Sequence, residues 1–290
     1  MFKFFYNILW HLILPVWLII YFLNHGKSKR YFKDKLSLFR SLKHDKKAVI
    51  WFHGSSLGEI ITLIPFMETL KKRLDHFQVL SFSTERGEKA AEKSKAEKIM
   101  YIPLDMSYFI RLALKRIKPD IVIILETEIW PNLFWECENL KIPVVIISGR
   151  ISNKSYPKYK LAKAFFKDVL KNGHFLMQTD EDKSRIVDIG APDKNVFVTG
   201  DIKLDGIKMD LEQSEIISLN QTFKLNFPVL VAGSTHNGEE EIIIDAWCSV
   251  RKKYPSMSLI LAPRHLDRVK SVEEIIIRKG FEYKIGRAHV

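Results

Sequence analysis

The stretch AVIWFHGSSLGE, Ala48 to Glu59, decides the fold: an apolar run breaks at small residues and ends on a carboxylate. Ala48 to Phe52 reads as a strand buried on both faces, because the apolar run does not alternate and a turn signal bounds it. Gly54-Ser55-Ser56 turns the chain into a helix predicted to run to about Leu74. A strand feeding a helix through small residues is the unit of open α/β sheets, whose ligands lie at the carboxyl ends of the strands. Three readings of the turn are open. Ser56 to Glu59 is S-x-x-E, a capping box with Ser56 as N-cap and Glu59 returning to its N–H. Gly54 to Gly58 is also G-x-S-x-G, the spacing of a hydrolase elbow. The third makes Glu59 a general base at the mouth of a cleft.

Outward from this stretch, strands are predicted at Ala48–His53, Gln78–Phe82, Lys98–Ile102, Ile121–Leu125, Val144–Ile147, Phe175–Gln178 and Val196–Thr199. Amphipathic helices fall between them, including one over 155–172, which makes a doubly wound parallel sheet. Residues 206–227 read as a linker. A second α/β run follows, with strands Val229–Ala232 and Leu259–Ala262 and helices near 239–253 and 268–279. The fold class is therefore α/β with two Rossmann-like doubly wound domains, the second one incomplete at two βα units. An elbow after the first strand of the sheet, with His236 and His265 in the other block, weakens the hydrolase reading.

The 290 residues are 47% hydrophobic and 28% charged, an ordinary globular composition that excludes disorder as the default. A formal charge of +12 implies an acidic partner: nucleic acid, anionic lipid or a phosphorylated substrate. Cys137 and Cys248 stand far apart, so neither a disulfide framework nor a zinc site is indicated. Phe4 to Leu23 is almost wholly apolar and is followed by Lys27, Lys29, Arg30, Lys33 and Lys35. Residues 1–35 thus read as a membrane anchor with a basic flank, spanning or interfacial, that leaves the rest of the chain in the cytoplasm.

Chemistry concentrates after the strands. Glu126-Thr-Glu-Ile-Trp-Pro-Asn132 places two carboxylates at the edge that carries Glu59, although Glu128 would also suit the start of the next helix. Gly233-Ser-Thr-His-Asn-Gly-Glu-Glu-Glu241 joins a strand to a helix, and its hydroxyls and N–H groups suit an anion, a phosphate above all. It lacks the Walker lysine and the G-x-G-x-x-G spacing. Arg264 and His265 end the next strand at the ligand edge, where Arg264 can clamp phosphate or carboxylate.

In this order the pieces WFHGSSLGE, YIPLD (Tyr101 to Asp105), ETEIWPN, GRIS (Gly149 to Ser152), GDIKLD (Gly200 to Asp205), AGSTHNGEEE and PRH resemble the 3-deoxy-D-manno-octulosonic acid (Kdo) transferases, inverting GT-B-type glycosyltransferases. The resemblance implies transfer of Kdo from CMP-Kdo to a lipid A precursor in lipopolysaccharide biosynthesis. It implies a location at the bacterial inner membrane facing the cytoplasm, with anionic lipids as partners and neither nucleic acid nor a metal required. Residues 36–205 would be the acceptor domain and 228–290 part of the CMP-Kdo-binding donor domain. Glu59 would be the catalytic base, with Ser56, Gly58, Glu126, Glu128 and Arg150 lining the acceptor cleft. Ser234, Thr235, His236, Arg264 and His265 would handle the donor. Three positions depart from the family pattern: Ser148 before GRIS, Asp201 in GDIK and Leu266 after PRH. The family continues past this length, and Ile285 to Val290 reads like a translated adapter, so a truncated and inactive chain is expected. The other readings are a non-catalytic glycolipid-binding module on the membrane and a different nucleotide-sugar transferase of the same fold.

Overall fold

The chain folds into two compact units, residues 1–207 and 208–290. The computed structural model describes residues 1–24, 28–44, 47–206, 217, 223 and 225–286. Most of the expected linker and the last four residues of the terminal run lie outside the described residues.

The first unit is built on seven strands: β1 Ala48–His53, β2 His76–Phe82, β3 Lys98–Tyr101, β4 Ile121–Leu125, β5 Val144–Gly149, β6 Gly173–Met177 and β7 Val196–Val198. All pairs are parallel, in the order β3-β2-β1-β4-β5-β6-β7. Among the described residues nine helices accompany them: α1 Phe2–Asn24, α2 Lys29–Lys35, α3 Leu57–Arg73, α4 Glu85–Ala91, α5 Ser107–Ile117, α6 Pro131–Asn139, α7 Tyr156–Leu161, α8 Lys163–Leu170 and α9 Asp180–Asp188. β1 shows why its run does not alternate. Val49 and Trp51 join Ile110, Leu114 and Leu133 in one core, whereas Ile50 and Phe52 join Ile60, Leu63 and Met67 in another. Each such side chain contributes about 1.5–3 kcal/mol through burial, so helices on both faces hold the strand at the centre.

Strand order also fixes where a ligand can sit. From β1 the chain moves outward through β2 and β3, then returns to add β4 on the other side of β1. The crevice at the carboxyl ends of β1 and β4 is therefore the topological switch point, the usual ligand position in open α/β sheets. Its two loops are Gly54–Ser56 and Glu126–Trp130.

Several expected boundaries move. β2 starts at His76 because Ala48 pairs with it, and β5 runs on to Gly149. The single helix expected over 155–172 is two helices that break at Ala162 (φ −99°, ψ 26°), which lets α8 bury Val169 and Leu170 while α7 buries nothing fully. Residues 1–35 belong to the first unit rather than standing apart. One face of α1 is docked on it: Lys3 meets Glu136 at 2.9 Å, Tyr6 donates to Asp105 at 2.8 Å, Asn7 donates to Asn132 at 2.9 Å, and Trp17 and Tyr21 stack near Tyr31. The opposite face exposes Phe4, Phe5, Leu9, Leu12, Val16, Ile19 and Leu23. The basic flank is only partly free. α2 must satisfy β3, so Arg30 donates to the Ile99 carbonyl and Asp34 accepts the Tyr101 N–H, which draws Lys35 inward and leaves Lys29 and Lys33 exposed.

In the second unit, β8 Val229–Thr235 and β9 Ser258–Pro263 pair in parallel, followed by α10 Glu239–Arg251 and α11 Val269–Arg278. Among the described residues its fully buried apolar side chains are Ile244, Trp247 and Val272.

Candidate active site

At the carboxyl end of β1, Gly54 lets α3 close on the strand; a Cβ there would lie 3.2 Å from the Glu59 Cβ. Ser56 is extended (φ −104°, ψ 168°) and caps α3, its hydroxyl accepting the Glu59 N–H at 3.4 Å. The capping box is present with one change. The Glu59 carboxylate takes the Ser55 N–H at 2.7 Å, not the N–H of Ser56, and accepts the Ser56 hydroxyl at 2.7 Å. An extended serine whose hydroxyl is bonded to a carboxylate is not a nucleophile elbow, so the hydrolase reading ends here.

Across the switch point, Glu128 does not serve α6 as a helix-start acid, since the first turn of that helix carries no carboxylate. Its carboxylate accepts Trp130 Nε1–H at 3.0 Å and faces His53 Nε2 at 3.2 Å. His53 Nδ1 lies 2.9 Å from the Ser81 hydroxyl, which also accepts Trp51 Nε1–H at 2.8 Å. Nδ1 also lies 3.1 Å from the Ser81 carbonyl, and the Ser81 hydroxyl donates to the Phe52 carbonyl at 3.3 Å. Glu126 adopts φ 59°, a left-handed conformation of the kind that gathers at functional sites, and pairs with Lys203 at 2.7 Å.

The two central carboxylates are driven apart. Burial raises Glu59, the bonds from Ser56 and Ser55 pull it down, and the charges of Glu128 and Glu126 raise it again, leaving it above the usual carboxylate range. Burial also acts to raise Glu128, but hydrogen bonding from His53, Ser55 and Trp130 holds it below that range. Paired acids with opposite shifts divide the work: one accepts a proton, the other stays charged.

Arg150 is exposed and lines a cavity of about 330 Å³ with Glu126, Thr127, Ile151, Ser152, Ser155 and Tyr159. Its N–H donates to the Thr127 hydroxyl at 2.8 Å, joining the ends of β4 and β5. A Cβ on Gly58 would meet nothing within 4 Å, so open space lies above the start of α3. The Ser148 hydroxyl donates to Asp201 at 2.9 Å, joining the end of β5 to the chain after β7. His53, Ser55 and Lys203 were missed by sequence reasoning. For His53 the signal was present, a polar residue closing an apolar strand beside a glycine; for Lys203 none was, because its partner Glu126 is distant in sequence.

In the second unit, Ser234 (φ 58°), His236, Arg264 and His265 gather at the carboxyl ends of β8 and β9, the two imidazole rings 6.3 Å apart. Thr235 differs from expectation. It is buried and its hydroxyl donates to Glu240 at 2.8 Å, and Glu240 is clamped by Arg268 at 2.8 and 3.0 Å. The expected free N–H groups are also fewer, since the Glu239 carboxylate takes the His236 N–H at 2.7 Å. Three glutamates in the first turn of α10 complement its dipole themselves.

The fold and this edge define a class, the GT-B-type α/β fold of nucleotide-sugar glycosyltransferases. Among solved structures the chain resembles a UDP-GlcNAc 2-epimerase from Neisseria meningitidis (TM-score 0.54, 16% identity, 79% of this chain and 69% of that one) and a glycosyltransferase from Rickettsia africae (TM-score 0.53, 12% identity, 80% and 65%). Residues 30–206 match the model of the 3-deoxy-D-manno-octulosonic-acid transferase (kdotransferase) family, and the chain belongs to that family. It is 29% identical over 290 residues to a 3-deoxy-D-manno-octulosonic acid transferase of Haemophilus influenzae, covering 98% of this chain and 68% of that protein. It is 35% identical over 271 residues to a bifunctional glycosyltransferase/methyltransferase of Fusobacterium nucleatum, covering 89% of this chain. The chain spans 68% and 40% of the length of these two relatives.

Proposed function

We propose that the protein transfers Kdo from CMP-Kdo to a lipid A precursor with inversion at the anomeric carbon. The observation that carries this reading is Glu59: a carboxylate raised by burial, held by two hydrogen bonds and set at the switch point beside an ionised Glu128. In the reaction Glu59 takes the proton of the acceptor hydroxyl as its oxygen bonds to the anomeric carbon. The bond from that carbon to the CMP phosphate breaks, and the electron pair leaves with CMP. The transition state is oxocarbenium-like, so charge develops on the departing phosphate. Arg264, Ser234 and the two histidines of the second unit are assigned to that charge, which lets the reaction run without a metal.

The N-terminal helix belongs to the same reading. Its docked face is bonded to the first unit from Lys3 to Tyr21, so we assign the exposed apolar face to the cytoplasmic leaflet of the inner membrane, with the helix lying on the surface and not crossing it. Lys29 and Lys33 are left to meet anionic headgroups.

The test has two arms. The 290 residues alone are expected to bind lipid A precursor and transfer little Kdo, because a two-stranded sheet with Val231 63% exposed is a poor platform for a nucleotide. The chain extended to the full length of the Haemophilus influenzae relative is expected to transfer labelled Kdo, and Glu59→Gln to abolish it. Precursor binding with no transfer in the extended chain would favour the glycolipid-binding module. Transfer from another nucleotide sugar would move the assignment to a different donor.

A further inference from the structure

The N-terminal end of α1 and the start of α5 enclose a cavity of about 620 Å³, within the roughly 300–1,000 Å³ that ligand pockets occupy. It shares no lining residue with the cavity beside Glu126 and Arg150, so it is a separate place on the first unit. Asn7 ties the two helices together, accepting the Ser107 N–H at 3.1 Å. The walls are mostly apolar: Phe4 and Ile8 stand about one turn apart on α1, and Met106 and Tyr108 come from the start of α5. Leu12 continues the row of Phe4 and Ile8 along the exposed side of α1, so this wall runs on into the face assigned to the leaflet.

The charges of the cavity are set by one buried carboxylate. Glu136, on α6, is 1% exposed; it takes the Lys3 ammonium at 2.9 Å, Arg111 Nε–H at 2.9 Å and Nη2–H at 3.2 Å, and the Ser107 hydroxyl. Burial works to raise Glu136, but the bonds from Arg111, Ser107 and Lys3 bring it down to about 2, so it stays ionised. One negative charge thus holds two cations side by side. Both cations line the cavity, partly exposed, with donors to spare: among the described residues Arg111 Nη1 donates to nothing, and the Lys3 ammonium has only Glu136. Among the described residues no carboxylate lines the cavity, and the first turn of α5 carries none.

We propose that this cavity binds one anionic phospholipid of the leaflet, its phosphodiester received by Lys3 and Arg111 and an acyl chain laid along Phe4 and Ile8. Charge selects that occupant. Two cations and one carboxylate leave a single positive charge, which the phosphodiester of a lipid with a neutral headgroup cancels; a zwitterionic lipid brings its own cation and leaves the excess. The inference rests on the reading of α1 as a helix lying on the membrane, and adds to it a site for one lipid with a preferred headgroup. Glu136 fixes the two cations before the lipid arrives, which lowers the cost of binding relative to free surface lysines.

Short-chain lipids titrated below their micelle concentration separate such a site from attraction to a charged surface. In calorimetry with the 290-residue chain, dihexanoyl phosphatidylglycerol is expected to bind one-to-one, and dihexanoyl phosphatidylcholine at least about tenfold more weakly. Lys3→Met and Arg111→Met should each weaken phosphatidylglycerol by about tenfold and leave phosphatidylcholine unchanged. Lys3→Met keeps the bidentate pair of Arg111 with Glu136, so it carries the test if Arg111→Met lowers the melting temperature. Ile8→Ser, at an exposed position, should weaken both lipids alike, and Lys33→Met, an exposed charge outside the cavity, should change neither. Equal affinity for the two lipids, no binding of either, or equal losses from Lys3→Met and Lys33→Met would each overturn the proposal. Failure of the surface reading shows differently: the chain stays off vesicles of phosphatidylcholine and phosphatidylglycerol in equal parts while the short-chain selectivity persists.

Discussion

Gly54 to Ile60 and Gly233 to Glu240 are two versions of one strand–turn–helix device, and they use their carboxylates differently. In each, a glutamate directly after a glycine stands in the first turn of the helix and takes an N–H from the turn: Glu59 from Ser55 and Glu239 from His236, both at 2.7 Å. The next residue separates them. In the first unit it is Ile60, fully buried against the sheet; in the second it is Glu240, equally buried and held by Thr235 and Arg268. A well-populated apolar core holds the first turn, and its carboxylate is raised chiefly by burial. The second core is small, and its turn is held by an ion pair that ties up residues otherwise open to a ligand. The shared pattern of glycine, hydroxyl and glutamate therefore does not by itself mark an active site.

That contrast can be broken or sharpened by four measurements. The largest effect is expected from Glu59→Gln, which should lower Kdo transfer in the extended chain by about 10²–10⁴-fold with little change in melting temperature, while Glu239→Gln leaves transfer nearly intact. Comparable losses in both would erase the distinction between the turns. Next comes Glu240→Ala, which leaves the Thr235 hydroxyl and the Arg268 guanidinium without their acceptor and should cost the second unit about 2 kcal/mol in urea unfolding. Ile60→Ala is the matched change in the first unit; it creates a cavity and should cost about 2–5 kcal/mol there without reversing the assignment of Glu59.

The third measurement uses pH. Because Glu59 is raised in the folded state, its neutral form is favoured there: its contribution to stability is present below the unfolded carboxylate value and fades as pH rises through the raised one. Glu59→Gln should thus gain stability relative to wild type across that window, and the acid limb of the transfer rate should lie above about 4.3, the ordinary glutamate value. A limb at or below that value would remove Glu59 as the titrating base. The smallest effect is expected from the glycines. Gly54→Ala brings a methyl to 3.2 Å from the Glu59 Cβ and should lower transfer several-fold, whereas Gly233→Ala meets nothing within 4 Å and should be silent.

Much of the fold was readable along the chain. The seven strands of the first unit appear where apolar runs and turn residues predict them, with shifts at β2, β5 and β6 that depend on neighbouring strands. The capping box was legible because it spans four residues. Its acceptor was misplaced by one residue, since S-x-x-E spacing does not report which N–H the carboxylate reaches. Thr235 looked like a ligand residue because hydroxyls and N–H groups at a helix start suit an anion; the buried Glu240, paired with Arg268, claims its hydroxyl instead.

The sequence by itself determined the α/β class, the order of elements, the family pieces and the carboxylates at strand ends, because these follow from periodicity and residue type within short windows. Tertiary structure decided the rest. Only the strand order made β1 and β4 neighbours and set Glu59 beside Glu128. Only folding joined Tyr6 to Asp105 across 99 residues and Asn7 to Asn132 across 125, docking one face of the N-terminal apolar helix on the first unit. Proton affinity and docking depend on burial and on partners distant in the chain, and neither is a property of any local window.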